Sequence, residues 1–140
     1  MFLQTIMNTI AVIGAEITDA VKLAALAANN NSLLLFSKPE NDTSLLREKI
    51  IQIYPTAEVE SFACSRDACW EADDILLLIK QDELQVVADQ FRDVATQKQI
   101  GFYSHKGLSA EELKRQFPYS VIIDLNREKF PNEDIELQKF

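Results

Sequence analysis

Two acidic residues occupy positions where a phosphate-binding loop needs small side chains. An apolar run at residues 10–13 is followed by Gly14, and the chain then places Glu16 and Asp19 before an alanine-rich stretch at residues 20–28. An apolar run that ends in glycine and opens an amphipathic helix is typical of a nucleotide-binding βαβ unit. A dinucleotide-binding loop would read G-x-G-x-x-G, so carboxylates replace its second and third glycines. The segment therefore predicts the strand, loop and helix of such a unit, with altered chemistry in the loop.

The acidic loop has two possible interpretations. A carboxylate about 4 Å from a phosphate charge costs on the order of 4 kcal/mol at an effective dielectric constant of about 20. That energy is roughly a thousandfold in affinity, and it disfavours a pyrophosphate unless Glu16 turns into solvent. Alternatively, Glu16 and Asp19 accept hydrogen bonds from free backbone N–H groups in the first helical turn. In that case the protein supplies its own anion where a phosphate would bind.

His105 is the other residue whose type and position suggest chemistry. It follows the fifth predicted strand on the side of the expected crevice, and histidine is suited to acid–base catalysis at neutral pH. No carboxylate or nucleophile adjoins it in the sequence, so we predict no catalytic residue. Trp70 and Tyr103 are predicted to be packing residues.

Composition excludes several classes of function. The 140-residue chain carries a formal net charge of −8, which argues against nucleic acid or an anionic membrane surface as a partner. Two cysteines, Cys64 and Cys69, and one histidine cannot assemble a Cys/His zinc cluster within one chain, and we expect two reduced thiols in the cytoplasm. No signal peptide and no transmembrane helix is predicted.

Six strands are needed to position these residues. Five are predicted from apolar runs, and the third, at residues 57–63, is predicted from alternating apolar residues as a shorter strand nearer an edge. Helices separate the strands, Ile17 and Ile53 are predicted on buried helix faces, and Asp82 with Gln85 resembles a capping box. This alternation predicts an α/β fold, a doubly wound parallel sheet in three layers. Residues 1–125 form one domain, and residues 126–140 form a charged tail or short helix of the same domain. The predicted strands are residues 10–14, 32–36, 57–63, 74–79, 99–104 and 119–125.

Three stretches, residues 9–28, 70–84 and 104–113, carry a family resemblance. They resemble the N-terminal Rossmann-like domains of NADP oxidoreductases of the deazaflavin-dependent NADP reductase and pyrroline-carboxylate reductase type. The resemblance implies a strand order of 3-2-1-4-5-6 and NADP bound across the carboxyl ends of the first and fourth strands. It also implies eight cofactor-binding residues. The phosphate loop would be Gly14, Ala15, Glu16 and Ile17, the ribose 2′-phosphate would meet Ser37 and Lys38, and Ile79 and Lys80 would flank the nicotinamide.

Two functional hypotheses follow. The first is an NAD(P)-binding, oxidoreductase-like domain, which by the family pattern would need a helical C-terminal domain that residues 126–140 are too few to form. The second is a degenerate, non-catalytic Rossmann module that binds no dinucleotide and acts as a homodimeric or regulatory interaction protein. The acidic loop and the low glycine content, three residues in all, favour the second.

Overall fold

The computed structural model describes residues 8–37 and 43–125. The predictions that concern Lys38 and the tail at residues 126–140 therefore lie outside the described residues.

Six parallel strands form one sheet with the order β3-β2-β1-β4-β5-β6. The apolar runs recognised in the sequence form the central strands β1, β2 and β4, because strands covered on both faces bury consecutive side chains. The α/β doubly wound architecture and the predicted strand order are thus confirmed. The strands are β1 Asn8–Ile13, β2 Asn31–Phe36, β3 Glu58–Ser61, β4 Asp74–Leu77, β5 Gln99–Phe102 and β6 Val121–Asp124.

Helices cover both faces of the sheet. Alternate side chains of β1 enter two separate cores, since successive residues of a strand point to opposite faces. Ile10 and Val12 pack with α1 and α2, whereas Ala11 and Ile13 pack with α3, α4 and α5. The sheet order reverses direction between β1 and β4, and this opens a crevice at their carboxyl ends. The helices are α1 Ala20–Ala28, α2 Thr43–Ile53, α3 Ser65–Glu71, α4 Leu84–Phe91 and α5 Ala110–Gln116.

Several predicted details are wrong. Ile17 is 42% exposed, because a short 3-10 turn over Ile17–Asp19 precedes α1 and rotates this side chain away from the helix's buried face. Ile53, in the last turn of α2, and Trp70, in the last turn of α3, are also exposed.

The predicted capping box of Asp82 with Gln85 is not the one observed before α4. Glu83 caps this turn instead, and its carboxylate accepts a hydrogen bond from the Lys80 N–H.

β4 is shorter than the apolar run from which it was predicted. β4 ends at Leu77, although Leu78 and Ile79 continue the run and remain wholly or partly buried. The N–H of Leu78 still donates to the carbonyl oxygen of Ile13 (2.9 Å), beyond the last strand residue. The apolar run therefore predicts which residues of this segment are buried, but it does not predict where the strand ends.

Candidate functional site

A cavity of about 310 Å³ lies at the carboxyl ends of β1, β2 and β4. This is the position where parallel α/β sheets bind ligands, since the strand order reverses there and the loops diverge. One part of its lining is apolar and the other part carries charge. The lining residues are Ile13, Gly14, Glu16, Asp19, Phe36, Ser37, Leu78, Ile79, Lys80, Glu83, Val87 and Lys106.

Gly14 fixes the path of the loop after β1. Its N–H donates to the carbonyl oxygen of Phe36 (2.8 Å), which joins the loop to the end of β2. Its φ angle is +90°, in the left-handed region that side chains other than glycine rarely adopt. The loop can therefore pass close over the end of β4, where Ile79 lies against it.

The Asp19 carboxylate accepts a hydrogen bond from the loop itself. The backbone N–H of Glu16 donates to Oδ2 of Asp19 (2.8 Å), and Asp19 is 8% exposed. In a phosphate-binding loop, N–H groups at this point bind the anion. Asp19 thus satisfies a donor that a phosphate would otherwise use, which is the second interpretation of the acidic loop.

Lys106 balances the charge of Asp19. It follows β5 in a short 3-10 turn over Ser104–Lys106, and its Nζ lies 3.7 Å from Oδ1 of Asp19. The ion pair spans the crevice from the loop after β5 to the loop after β1. The Glu16 side chain, by contrast, is exposed at the mouth of the cavity.

The opposite wall begins at Lys80 and Glu83. The Lys80 N–H donates to Oε1 of Glu83 (3.0 Å), and this bond closes the first turn of the short 3-10 segment over Gln81–Glu83 that leads into α4. Both residues line the cavity. This wall therefore contributes one carboxylate residue and one lysine to the lining.

Ser37 follows β2 directly and presents an unsatisfied hydroxyl. The residue is 8% exposed, and its Oγ is buried without a hydrogen-bond partner among the described residues. Buried polar groups are nearly always hydrogen-bonded, so an orphaned hydroxyl that lines a cavity is a marked exception. Among the described lining residues, it is the buried side-chain oxygen that lacks a hydrogen-bond partner.

The structure brings together five of the eight residues predicted to bind a cofactor. Gly14, Glu16, Ser37, Ile79 and Lys80 line one cavity. Ala15 instead packs in the core against the α1 side of the sheet, and the Ile17 side chain points into solvent. Lys38 lies outside the described residues.

Sequence reasoning missed Lys106 and Glu83 as residues of the site. Lys106 follows β5, at the same edge of the sheet as the other loops, and this was the available signal. His105 is exposed and lies edge-on to the ring of Tyr103, with 5.7 Å between ring centroids. Tyr103, as predicted, is buried, and Nζ of Lys22 lies 4.4 Å from its ring centroid, a cation–π contact.

No metal site is apparent in the described part of the chain, where no three histidine, cysteine, aspartate or glutamate residues cluster suitably. Within residues 8–37 and 43–125, no helix is long and apolar enough to cross a membrane. Cys64 is exposed and Cys69 is buried, and both are free thiols.

Known proteins resemble this chain in fold but not in sequence. No protein-family model matches it, and no curated protein matches it. A solved structure named as an F420-dependent NADP reductase, from an Arthrobacter species, superposes with a TM-score of 0.61 and 16% identity over 84% of this chain and 61% of its own. An imine reductase from Myxococcus stipitatus, solved in complex with NAD⁺, superposes with a TM-score of 0.58 and 14% sequence identity. This match covers 84% of this chain and 40% of the imine reductase.

A third similar structure is a UDP-glucose dehydrogenase from Pyrobaculum islandicum, with a TM-score of 0.57 and 10% identity over 85% of this chain and 35% of its own. The chain thus spans between 35% and 61% of the length of these three proteins. At such low identity, the likeness establishes the Rossmann-like fold.

Proposed function

We propose that this chain is a non-catalytic Rossmann-like module that binds no dinucleotide and acts in a homodimeric or regulatory interaction. The hydrogen bond from the Glu16 N–H to the Asp19 carboxylate carries the proposal. It occupies a backbone donor of the loop with a group built into the chain. We further propose that residues 1–125 form the Rossmann-like part of a single domain. Residues 126–140 would be a charged tail or short helix of that same domain.

Charge in the loop supports this proposal. A pyrophosphate at the loop would meet the Asp19 carboxylate and the exposed Glu16 carboxylate. One such repulsion, at about 4 Å and an effective dielectric constant of about 20, is worth on the order of 4 kcal/mol. Lys106 offsets part of it, but only by leaving or sharing its ion pair with Asp19.

An open sheet edge supports the interaction role. β6 has β5 as its one neighbour among the described strands, so no described strand pairs with its other side. Val121, its first residue, is 54% exposed, and Tyr119, in the turn before it, is 75% exposed. Trp70, at the end of α3, is a further large apolar side chain, 70% exposed. Exposed large apolar side chains, such as Tyr119 and Val121 at an edge strand, are typical of an interaction surface.

The second candidate is an NADP-binding, oxidoreductase-like domain. The observation in its favour is that Ser37, Lys80 and Lys106 line the cavity at which such folds bind ligands. In this case Lys106 would leave Asp19 for a phosphate, and Lys80 would contact the cofactor from the opposite wall. Hydride transfer would need a substrate wall from a further domain or a second subunit.

Thermal-shift titration separates the two candidates. Wild-type protein is titrated with NADPH, NADH, FAD and ATP, alongside a variant with a restored loop, Glu16→Gly with Asp19→Ala. A control variant, Glu58→Gln with Glu60→Gln, removes the same charge from exposed positions of β3 outside the cavity. We expect no response from wild type or the control at micromolar NADPH, and a rise in Tm for the restored loop alone.

Stabilisation of wild type by micromolar NADPH would overturn the proposal and establish the second candidate. If even the restored loop does not respond, the NADP hypothesis fails. Sedimentation velocity tests the homodimer: a monomer at high micromolar concentration excludes self-association and leaves a different partner for the open edge.

A further inference from the structure

We propose that the open edge of the sheet, the side of β6 that faces away from β5, pairs with the same edge of a second copy of this chain. β6 of one copy would lie antiparallel to β6 of the other, and the two six-stranded sheets would join into one continuous sheet. The inference rests on the proposed function, because it names the partner and the pairing for its interaction surface.

The open edge lacks the charges that commonly keep edge strands apart. Natural edge strands carry charged side chains that prevent pairing between copies. β3, at the opposite edge of the sheet, follows this rule, since Glu58 and Glu60 are exposed on it. Residues 116–123, by contrast, contain no charged residue. Asp124, the one charged residue of β6, accepts a hydrogen bond from the Ser104 N–H (3.2 Å), so its carboxylate is directed at the loop after β5.

The backbone of β6 selects the register of the pairing. The N–H of Val121 donates to the carbonyl oxygen of Lys98 (2.9 Å), and the N–H of Leu125 donates to that of Phe102 (2.7 Å), so both point toward β5. Successive residues of a strand present their hydrogen-bonding groups to alternate sides, so those of Ile122 point to the open edge. With Ile122 opposite Ile122 of the second copy, the two residues exchange both N–H···O=C hydrogen bonds.

This register also brings apolar side chains together. Val121 lies opposite Ile123 of the second copy, and by symmetry Ile123 lies opposite its Val121. Val121 is 54% exposed, and Ile123 is half-buried against the core on the α1 and α2 face. These are non-hydrogen-bonded pairs with Cα atoms about 4.5 Å apart, where side chains approach most closely. The pairing therefore covers apolar surface that a single copy exposes.

The position of α5 allows the two copies to pack helix against helix as well. Leu113 of α5 shares a core with Ile100 of β5 and Ile122 of β6, so the helix lies over these two strands. In the joined sheet, the α5 helices of the two copies would be two strand spacings apart, about 9.6 Å. Helices pack at interaxial distances of about 8–10 Å. The two-fold symmetry makes these helices antiparallel, so they meet flank to flank.

The flank of α5 that meets the second copy carries one acid and one base. Gln116 lies on the opposite flank, because its side-chain amide donates to Oε1 of Gln85 on α4 (3.0 Å). At 3.6 residues per turn, Glu111 and Lys114 lie roughly 140° and 160° around the helix from Gln116. Both are exposed. In antiparallel helices, Glu111 of each copy faces Lys114 of the other, and this self-complementary charge favours a second copy as the partner.

Disulfide trapping tests the register. In a Cys64→Ser background, Val121→Cys protein and Ile123→Cys protein are mixed and oxidised with glutathione disulfide. We expect a disulfide between the two variants, since a Cα separation of about 4.5 Å is within the range that disulfides span. Val121→Cys alone should not cross-link, because the two Cys residues would be offset by two positions. Val86→Cys, at an exposed position on α4, is the control and should not cross-link in either mixture.

Sedimentation equilibrium tests the contacts. We expect wild type to dimerise with a micromolar Kd, and Val121→Lys to weaken the dimer by at least about tenfold. Val86→Lys places the same charge on an exposed apolar position of α4 and should leave the Kd unchanged. Glu111→Lys should weaken the dimer by about fivefold, and adding Lys114→Glu should restore it, because the ion pairs between copies re-form.

The opposite results would overturn the inference. If wild type stays monomeric at high micromolar concentration, this edge does not pair with itself. The proposed function then stands if wild type also fails to respond to NADPH, with residues 126–140 or a different protein against β6. A dimer that resists Val121→Lys, or one that the exchanged charges do not restore, forms elsewhere on the surface. Micromolar binding of NADPH by wild type would overturn the proposed function, by a readout independent of dimerisation.

Discussion

Gly14 and Ile79 approach so closely that a Cβ atom on Gly14 would lie 2.5 Å from Cγ2 of Ile79. The same atom would lie 3.4 Å from the backbone carbonyl of Leu78. Real Cβ atoms do not tolerate the first distance, so the loop after β1 can lie on the end of β4 only because residue 14 lacks a side chain. This contact sets the floor of the cavity.

Gly14→Ala should therefore destabilise the fold by about 2–3 kcal/mol, from backbone strain at positive φ together with overpacking against Ile79. Gly107→Ala is the matched control. Its φ is +105°, but nothing lies within 4 Å of its Cβ position, so we expect strain alone, about 1 kcal/mol. Urea unfolding measures both losses. Equal losses would show that the contact with Ile79 relaxes without cost.

Asp19 should stabilise the loop mainly as a hydrogen-bond acceptor. Asp19→Ala leaves the Glu16 N–H without that acceptor, and we expect a loss of about 1–2 kcal/mol in the free energy of unfolding. Asp19→Asn keeps an acceptor oxygen and should lose less than half as much. The partly exposed ion pair with Lys106 adds little, so Lys106→Met should cost below about 0.5 kcal/mol. Equal losses for the alanine and asparagine variants would instead assign the effect to charge.

The fold could be predicted from sequence because it depends on local patterns. The uninterrupted apolar runs of β1 and β4, and the alternation of strand and helix, suffice for a doubly wound parallel sheet. The errors arise where a local pattern meets tertiary context. Ile17 continues the helical stripe in sequence, but the 3-10 turn before α1 breaks its angular spacing. Trp70 is a large apolar residue whose helix ends at the surface.

The site was predictable only in part. Gly14, Ser37 and Lys80 were found because each follows a strand whose position in the sheet could be inferred. The pairing of Asp19 with Lys106 could not be found, because the two residues are far apart in sequence and their strands are not neighbours. The orphaned state of the Ser37 hydroxyl likewise depends on what surrounds it in space.

The two cysteines should differ sharply in reactivity. Burial raises the pKa of the Cys69 thiol, which keeps it protonated and unreactive, whereas Cys64 is exposed. Iodoacetamide should therefore modify Cys64 in the native protein and reach Cys69 only after denaturation. Mass spectrometry of digested protein gives the site of labelling, and Cys64→Ser should abolish native labelling. Rapid native labelling of Cys69 would show that α3 opens readily.

Asp74 should reduce stability at neutral pH. Burial raises the pKa of its carboxyl above the ordinary value of 3.8, although the hydrogen bond from Nδ2 of Asn8 (2.7 Å) acts in the opposite direction. The folded state then binds this proton more tightly than the unfolded state does. As pH rises from 3.8 through the raised pKa, the contribution of Asp74 to stability falls, and the loss is complete above that pKa.

Asp74→Asn removes this cost while its amide oxygen can still accept the bond from Asn8. We expect the free energy of unfolding of the variant to exceed that of wild type by less than about 1 kcal/mol at neutral pH, because water screens part of the effect. Below pH 3.8 we expect the two free energies to be equal. Urea unfolding across this pH range measures the difference. Asp82→Asn, at an exposed position in the turn after β4, is the control and should show no such trend. A variant less stable than wild type at neutral pH would mean that the charged carboxylate is needed by Asn8 or by Lys98, whose charge also acts on Asp74.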